Sequence, residues 1–247
     1  MTPKPTSPTA IELLQSQSLT TLVQHEIERQ IMAGTLTPGT KLNEIEVAGS
    51  LGVSRGPVRE AFRALEEAGL LRTEKNRGVF VRVISIEEAE EIYALRAVLD
   101  EYVARTLAEV ITSEQLTRLR ESVEAMHHAV ENGDSEGYYQ LNLAFHDALV
   151  EMVGNRKLLE TYRRLVKELS LFRHEALTGD SSAPPKSERE HRDIVSAIAS
   201  RDPERAAQVT RDHLVRGRTR IREMLARAPG APGASGASGA APQAKAG

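Results

Sequence analysis

Cysteine is absent from all 247 residues, which excludes disulfides, thiolate metal sites and a cysteine nucleophile. The absence permits a reducing cytoplasm without requiring one. No apolar run approaches the ~20 residues of a membrane-spanning helix. The opening Met1-Thr2-Pro3-Lys4-Pro5 also lacks the apolar stretch of a secretory signal. A cytoplasmic protein with no membrane partner is therefore expected. A basic excess is missing too: 32 Lys and Arg stand against 35 Asp and Glu, a formal net charge of −3. There is no internal repeat, and the length has room for about two domains of ordinary size.

What is present is a localised basic surface. Between Ser54 and Arg82 seven basic residues (Arg55, Arg59, Arg63, Arg72, Lys75, Arg77, Arg82) face four acidic ones. They surround the run Leu51-Gly52-Val53-Ser54-Arg55-Gly56-Pro57-Val58-Arg59-Glu60-Ala61-Phe62, which reads as the turn and second helix of a helix-turn-helix. The Ser54 hydroxyl can cap that helix, and Pro57 falls in its first turn, where a missing N–H removes nothing. Arg55 and Arg59 then share one face near the N-terminus. A recognition helix offers that end to base edges in the major groove. The plainer alternative is a surface helix with two solvated arginines.

Around the motif the chain reads as mainly helical. Residues 1–15 predict a flexible arm, and 229–247, almost wholly Ala, Gly, Pro and Ser, a disordered tail. Residues 16–83 predict a winged helix-turn-helix. Its parts are a helix carrying Leu19, Leu22, Val23, Ile27 and Ile31 and a turn at Thr37–Thr40. A short helix capped by Asn43 and the recognition helix to about Gly69 follow. Two strands, Leu70–Thr73 and Val79–Val83, form a hairpin bent at Glu74–Gly78. The wing tip Lys75, Asn76, Arg77, Gly78 suits the DNA backbone or minor groove. Residues 85–226 predict an all-α bundle of six or seven helices. Capping boxes are expected at Ser85/Glu88, Thr112/Gln115 and Ser187/Glu190. An apolar stripe is expected over Ile92, Leu95, Leu99, Val103 and Leu107, and a Pro184-Pro185 loop over 178–186.

At this point the chain resembles the GntR family of bacterial transcription factors, in the subgroup with an FCD (FadR C-terminal) domain, over roughly residues 16–226. The resemblance rests on Pro38-Gly39 with Leu42, on Leu51–Arg55 with Pro57–Ala61, and on Gly69-Leu70 with Arg77-Gly78. In the second half it rests on Leu95-Arg96 with Asp100, Phe145-His146, Gly154-Asn155, Glu190-His191-Arg192 and His213-Leu214. It implies a homodimer that binds a near-palindromic operator and changes its grip when a small metabolite enters the bundle. DNA contacts would come from Ser54, Arg55, Gly56, Pro57, Arg59 and the wing. One departure stands out: many relatives carry an arginine ten residues before Arg55, where this chain has Ile45.

Of the seven histidines, spacing alone makes His146, His191 and His213 core or surface residues, and His25, His127 and His128 solvated ones. The resemblance to the metal-binding FCD branch implies instead that Asn142, His146, His191 and His213 form a ligand set. Three imidazoles and an oxygen donor suit a divalent transition ion such as zinc or nickel. Asn142 stands where an aspartate is usual. Arg96 interrupts the stripe Ile92, Leu99, Val103, so its guanidinium needs a partner. Asp100, four residues on, can supply one. The resemblance implies an effector cavity at Arg96, with Arg173 a further candidate, and a small organic acid or phosphonate as ligand. The leading expectation is a ligand-responsive repressor of a catabolic or uptake operon. A metal-dependent hydrolytic enzyme and an architectural DNA-binding protein are the alternatives.

Overall fold

A computed structural model describes residues 19–178 and 183–227. Both predicted terminal segments, 1–15 and 229–247, thus lie outside the described residues. Over the described residues the fold is mainly α: an N-terminal winged helix is followed by a bundle of six helices.

The winged helix opens with α1 (Leu19–Met32), which buries Val23, Ile27 and Ile31 on one stripe. A turn at 37–40 leads into β1 (Lys41–Leu42) and α2 (Glu44–Leu51). Asn43 caps α2, its Oδ1 accepting from the Ile45 N–H at 2.9 Å. Gly52 ends the helix at φ 65°, a left-handed conformation that glycine adopts at no cost. The helix-turn-helix is completed by α3 (Arg55–Glu67), which buries Val58, Ala61, Phe62 and Leu65 and leaves its arginines outside. Hairpin strands β2 (Leu71–Glu74) and β3 (Gly78–Val81) follow.

Several local expectations are corrected. The sheet has three strands in the order β1-β3-β2, with Lys41 opposite Phe80 and Leu71 opposite Val81. A two-residue strand has too short a pattern to be legible in sequence. At the hairpin bend Asn76 shares the positive φ with Gly78. Ser54 is the N-cap of α3, but its side chain makes no capping hydrogen bond.

The bundle comprises α4 (Ile86–Val110), α5 (Ser113–Glu131), α6 (Ser135–Met152), α7 (Arg156–Thr178), α8 (Ala183–Ala199) and α9 (Pro203–Arg227). Thr112 and Gln115 form the expected capping box of α5. Ser85 caps α4 through the Glu88 N–H, but the Glu88 carboxylate turns to Arg82, so that box is half made. The third box does not form: α8 begins at Ala183, which takes Pro184 and Pro185 into its first turn and puts Ser187 inside it. Leu95, expected on the buried stripe of α4, is 46% exposed; Ala89, Ile92, Tyr93, Arg96, Asp100, Val103, Ala104 and Leu107 are buried instead.

Two apolar clusters fill the interior. One joins the winged helix to the bundle, packing Ile27, Phe62 and Leu65 together with Ile92, Leu165, Leu169 and Leu214. The other lies within the bundle around Val103, Leu107, Phe145, Tyr162 and Ile194. Along α4 they are separated by Arg96 and Asp100, and along α9 by Thr210 and His213, all buried. A polar layer thus lies between two apolar cores, and such a layer is tolerated only where its groups satisfy one another or a ligand.

Candidate metal and effector site, with a candidate DNA interface

The polar layer brings three histidines from three helices together. His146 (α6), His191 (α8) and His213 (α9) are 4%, 0% and 6% exposed. His146 Nε2 lies 3.3 Å from the Nε2 of His191 and 3.3 Å from that of His213. Imidazole nitrogens about 2.0–2.1 Å from a tetrahedrally coordinated ion stand about 3.3–3.4 Å apart. The spacing therefore fits a transition ion. Among the described residues these three can hold a metal ion. Asn142, one turn before His146 on α6, is also buried and would present an amide oxygen from the same face.

Further groups aim the imidazoles inward. The His213 Nδ1 is 2.7 Å from Glu190 Oε2, and the His191 Nδ1 is 3.5 Å from the Tyr138 hydroxyl. With Nδ1 donating to Glu190, the His213 Nε2 lone pair is left for the centre of the cluster. Glu190 also accepts from Arg216 Nε at 2.9 Å and from Arg220 Nη1 and Nη2 at 2.8 and 2.9 Å. Against burial, which would raise it, the hydrogen bonds from His213 and Arg220 hold the Glu190 carboxyl at about 2. Burial pushes His213 below the ordinary imidazole range, against the pull of Glu190, and so favours the neutral ligand form. Phe145 closes the apolar side, its ring 5.0 Å from that of His191.

Next to this cluster Arg96 is 2% exposed. Its Nη2 donates to Asp100 Oδ2 at 3.3 Å and to the Tyr162 hydroxyl at 2.6 Å, and its guanidinium lies 5.1 Å from the Tyr162 ring centre. Burial pushes the Asp100 carboxyl above its ordinary range, with Arg96 opposing. The partner expected from the sequence, Asp100, is thus in place, while Tyr162 is 66 residues from Arg96 and carries no local signal. The Arg96 Nε is buried and finds no hydrogen-bond partner among the described residues. Buried donors of this kind are rare unless a ligand or water completes them. The Arg173 side chain lies outside the described residues.

The second surface is on the winged helix. Ser54, Arg55, Gly56 and Arg59 are exposed and Pro57 is half-buried at the start of α3, while Lys75, Asn76, Arg77 and Gly78 are exposed at the wing tip. Between helix and wing is an open concavity of about 950 Å³. Glu44, which the sequence reading passed over, ties the two arginines together: its carboxylate accepts from Arg55 Nη2 at 3.2 Å and from Arg59 Nε and Nη2 at 3.2 and 3.1 Å. Those bonds hold the Glu44 carboxyl below its usual range. They also fix two otherwise floppy side chains on the outer face of α3. At the wing, Arg77 pairs with Glu74 and lies 5.8 Å from the Phe80 ring centre.

Comparison with known proteins agrees along both parts of the chain. Residues 19–81 match the family model described as bacterial regulatory proteins, gntR family, and residues 91–216 match the FCD domain. The chain is 33% identical to the HTH-type transcriptional regulator YdhC of Bacillus subtilis (strain 168), a match that covers 74% of this chain and 82% of that one. It is 29% identical to the HTH-type transcriptional repressor RspR of Escherichia coli (strain K12), covering 82% and 89%. A solved GntR structure from Rhodococcus sp. RHA1 superposes with a TM-score of 0.74 at 29% identity, over 84% of this chain and 99% of that one.

Proposed function

This chain belongs to the GntR family of bacterial transcriptional regulators, in its FCD branch, and from that premise we propose that it is a ligand-responsive repressor. In this reading it acts in the cytoplasm as a homodimer on a near-palindromic operator beside a catabolic or uptake operon. A small organic acid or phosphonate releases it. RspR, to which it is similar, is a repressor.

The observation that carries the ligand response is the polar layer: three converging imidazoles next to a buried guanidinium with an unsatisfied Nε. His146, His191 and His213, with Asn142, would hold a divalent ion such as zinc or nickel, which when bound supplies a Lewis-acidic anchor for an anion. Arg96 supplies the second anchor, since a planar guanidinium matches a carboxylate or phosphonate. Asp100 and Tyr162 orient that guanidinium. An architectural protein with an inert bundle would have no use for this arrangement, and a hydrolase would have none for the arginines of α3.

Transmission has a physical route. His213 belongs to the layer, and the next residue, Leu214, belongs to the apolar cluster shared with the winged helix. Lys167 on α7 pairs with Glu28 on α1 at 2.7 Å, and Arg82 joins the Gly69 carbonyl to Glu168 and Glu88. A shift of α9 or α7 on ligation is thus felt at α1 and α3. Two states that differ in such a shift, and in affinity for the ligand, suffice for release. Dimerisation is supported by Leu95, Val98 and Tyr102, which form an exposed apolar stripe on α4. One winged helix reads few base pairs, and a two-fold partner doubles the interface.

The test is selection of bound fragments from the source genome, followed by sequencing. An enriched palindrome supports the reading and names the operon whose substrate is tried first as effector. No enrichment at low salt overturns it.

A further inference from the structure

The first turn of α2 carries a side chain that the family reading leaves without a task. Val47, Ala48 and Leu51 supply the face of α2 that packs on the core. Ile45 lies outside that face and is 62% exposed, the most exposed of the large apolar residues in the winged helix. It projects from a fixed backbone, because its N–H is held by the Asn43 cap. Its chain neighbour Glu44 grips Arg55 and Arg59, so Ile45 stands beside the two arginines and lines the same concavity between α3 and the wing. The surroundings are polar, with four cations (Lys41, Arg55, Arg59 and Arg77) against two carboxylates (Glu44 and Glu46), and Ile45 is the one exposed large apolar group among the residues that line that space.

An isolated apolar residue on a surface is ordinary; one set among groups suited to a duplex has a specific complement. The major groove of DNA displays hydrogen-bonding edges and one apolar group, the 5-methyl of thymine. Arginine at this place would seek guanine O6 and N7, whereas isoleucine offers neither donor nor acceptor and gains only by covering a methyl. We propose that Ile45 reads the 5-methyl group of a thymine next to the bases contacted by Arg55 and Arg59, once in each half-site. The proposal rests on the DNA-reading role of α3 and adds the base class at one further position.

The test uses the full chain and a duplex enriched from a random library, with each thymine replaced in turn by 2′-deoxyuridine, which keeps the pairing and removes the methyl. Replacement in one half-site is expected to weaken binding about fourfold, the factor for one methyl removed from water, and replacement in both half-sites about fifteenfold. Ile45→Ala leaves the core intact; it should bind the thymine duplex about as weakly as the wild type binds the uridine one, with no further loss on uridine. If uridine weakens binding nowhere, or weakens Ile45→Ala as much as the wild type, the proposal is overturned while the DNA-reading role stands. Equal losses by Ile45→Ala on enriched and random duplexes, with uridine neutral, assign the side chain to the sugar-phosphate backbone and overturn it too. If no duplex is enriched, the DNA-reading role itself fails, and this inference with it.

Discussion

Replacing Glu190 by glutamine separates the metal-orienting role of this carboxylate from its role as a brace. Glu190 is 8% exposed and accepts from His213 Nδ1, Arg216 Nε and both terminal nitrogens of Arg220. Glutamine keeps the shape but loses the charge, and its amide can present its N–H₂ to His213 and turn the imidazole. Loss of such an orienting partner weakens metal binding about 10–100-fold, or about 1.4–2.8 kcal/mol. The metal-free protein also weakens, because hydrogen bonds to charged groups contribute about 1.5–3 kcal/mol each. Glutamine still accepts one of them, and Arg216 is half-exposed, so a net cost of about 2 kcal/mol is expected, a fall in Tm of roughly 4–8 °C. The assay is thermal unfolding with and without zinc. At free zinc 100 times the wild-type Kd, binding adds about 2.7 kcal/mol to the wild type and about 1.4 or less to a variant weakened tenfold or more. Equal zinc-induced shifts in the two proteins, with only the metal-free Tm lowered, would refute the orienting role. No shift in either would remove the metal site.

Three further outcomes are expected. Arg55→Ala or Arg59→Ala weakens operator binding by about 1–3 kcal/mol per half-site and relaxes base preference; fluorescence anisotropy at fixed salt checks this, and unchanged affinity in both variants would sink the assignment. Arg96→Ala leaves Asp100 buried without its cation, at a cost of about 3–5 kcal/mol, while Arg96→Lys keeps the charge and loses the planar fork. Both should hold operator DNA yet ignore the effector, and an unaltered response of Arg96→Lys in a release assay counts against the anchor. Val98→Asp, at a site 64% exposed on the α4 stripe, should leave the fold intact and yield monomer in sedimentation, with operator affinity falling in step; a persistent dimer places the interface elsewhere.

The winged helix was legible because its signals are local. Gly52 at a left-handed turn, Pro57 in a first turn and arginines four apart each declare their role within one helical turn of sequence. The Thr112/Gln115 box is read in the same way. The failures were also local rules, overridden by tertiary partners. Glu88 left its capping box for Arg82, and the Ser187/Glu190 box was lost when the helix extended back to Ala183, leaving Glu190 to His213 and two arginines. Leu95 fits a helical stripe yet faces outward, because Tyr93 and Arg96 took the inward positions. Glu44 could have been suspected from the two arginines ahead of it, since an exposed cationic pair attracts a carboxylate.

By itself the sequence determined the helical class, the winged helix, the placement of Arg55 and Arg59, and the histidines worth watching, because period, caps and turn residues act over a few positions. Only the tertiary structure decided that residues 45 and 67 positions apart bring their Nε2 atoms within 3.3 Å of His146. It alone placed Tyr162 against Arg96 and laid the polar groups in one layer between two apolar cores. Burial creates that layer: a charge or imidazole is nearly indifferent to its neighbours in water, and in a dry interior it must meet a partner or a ligand.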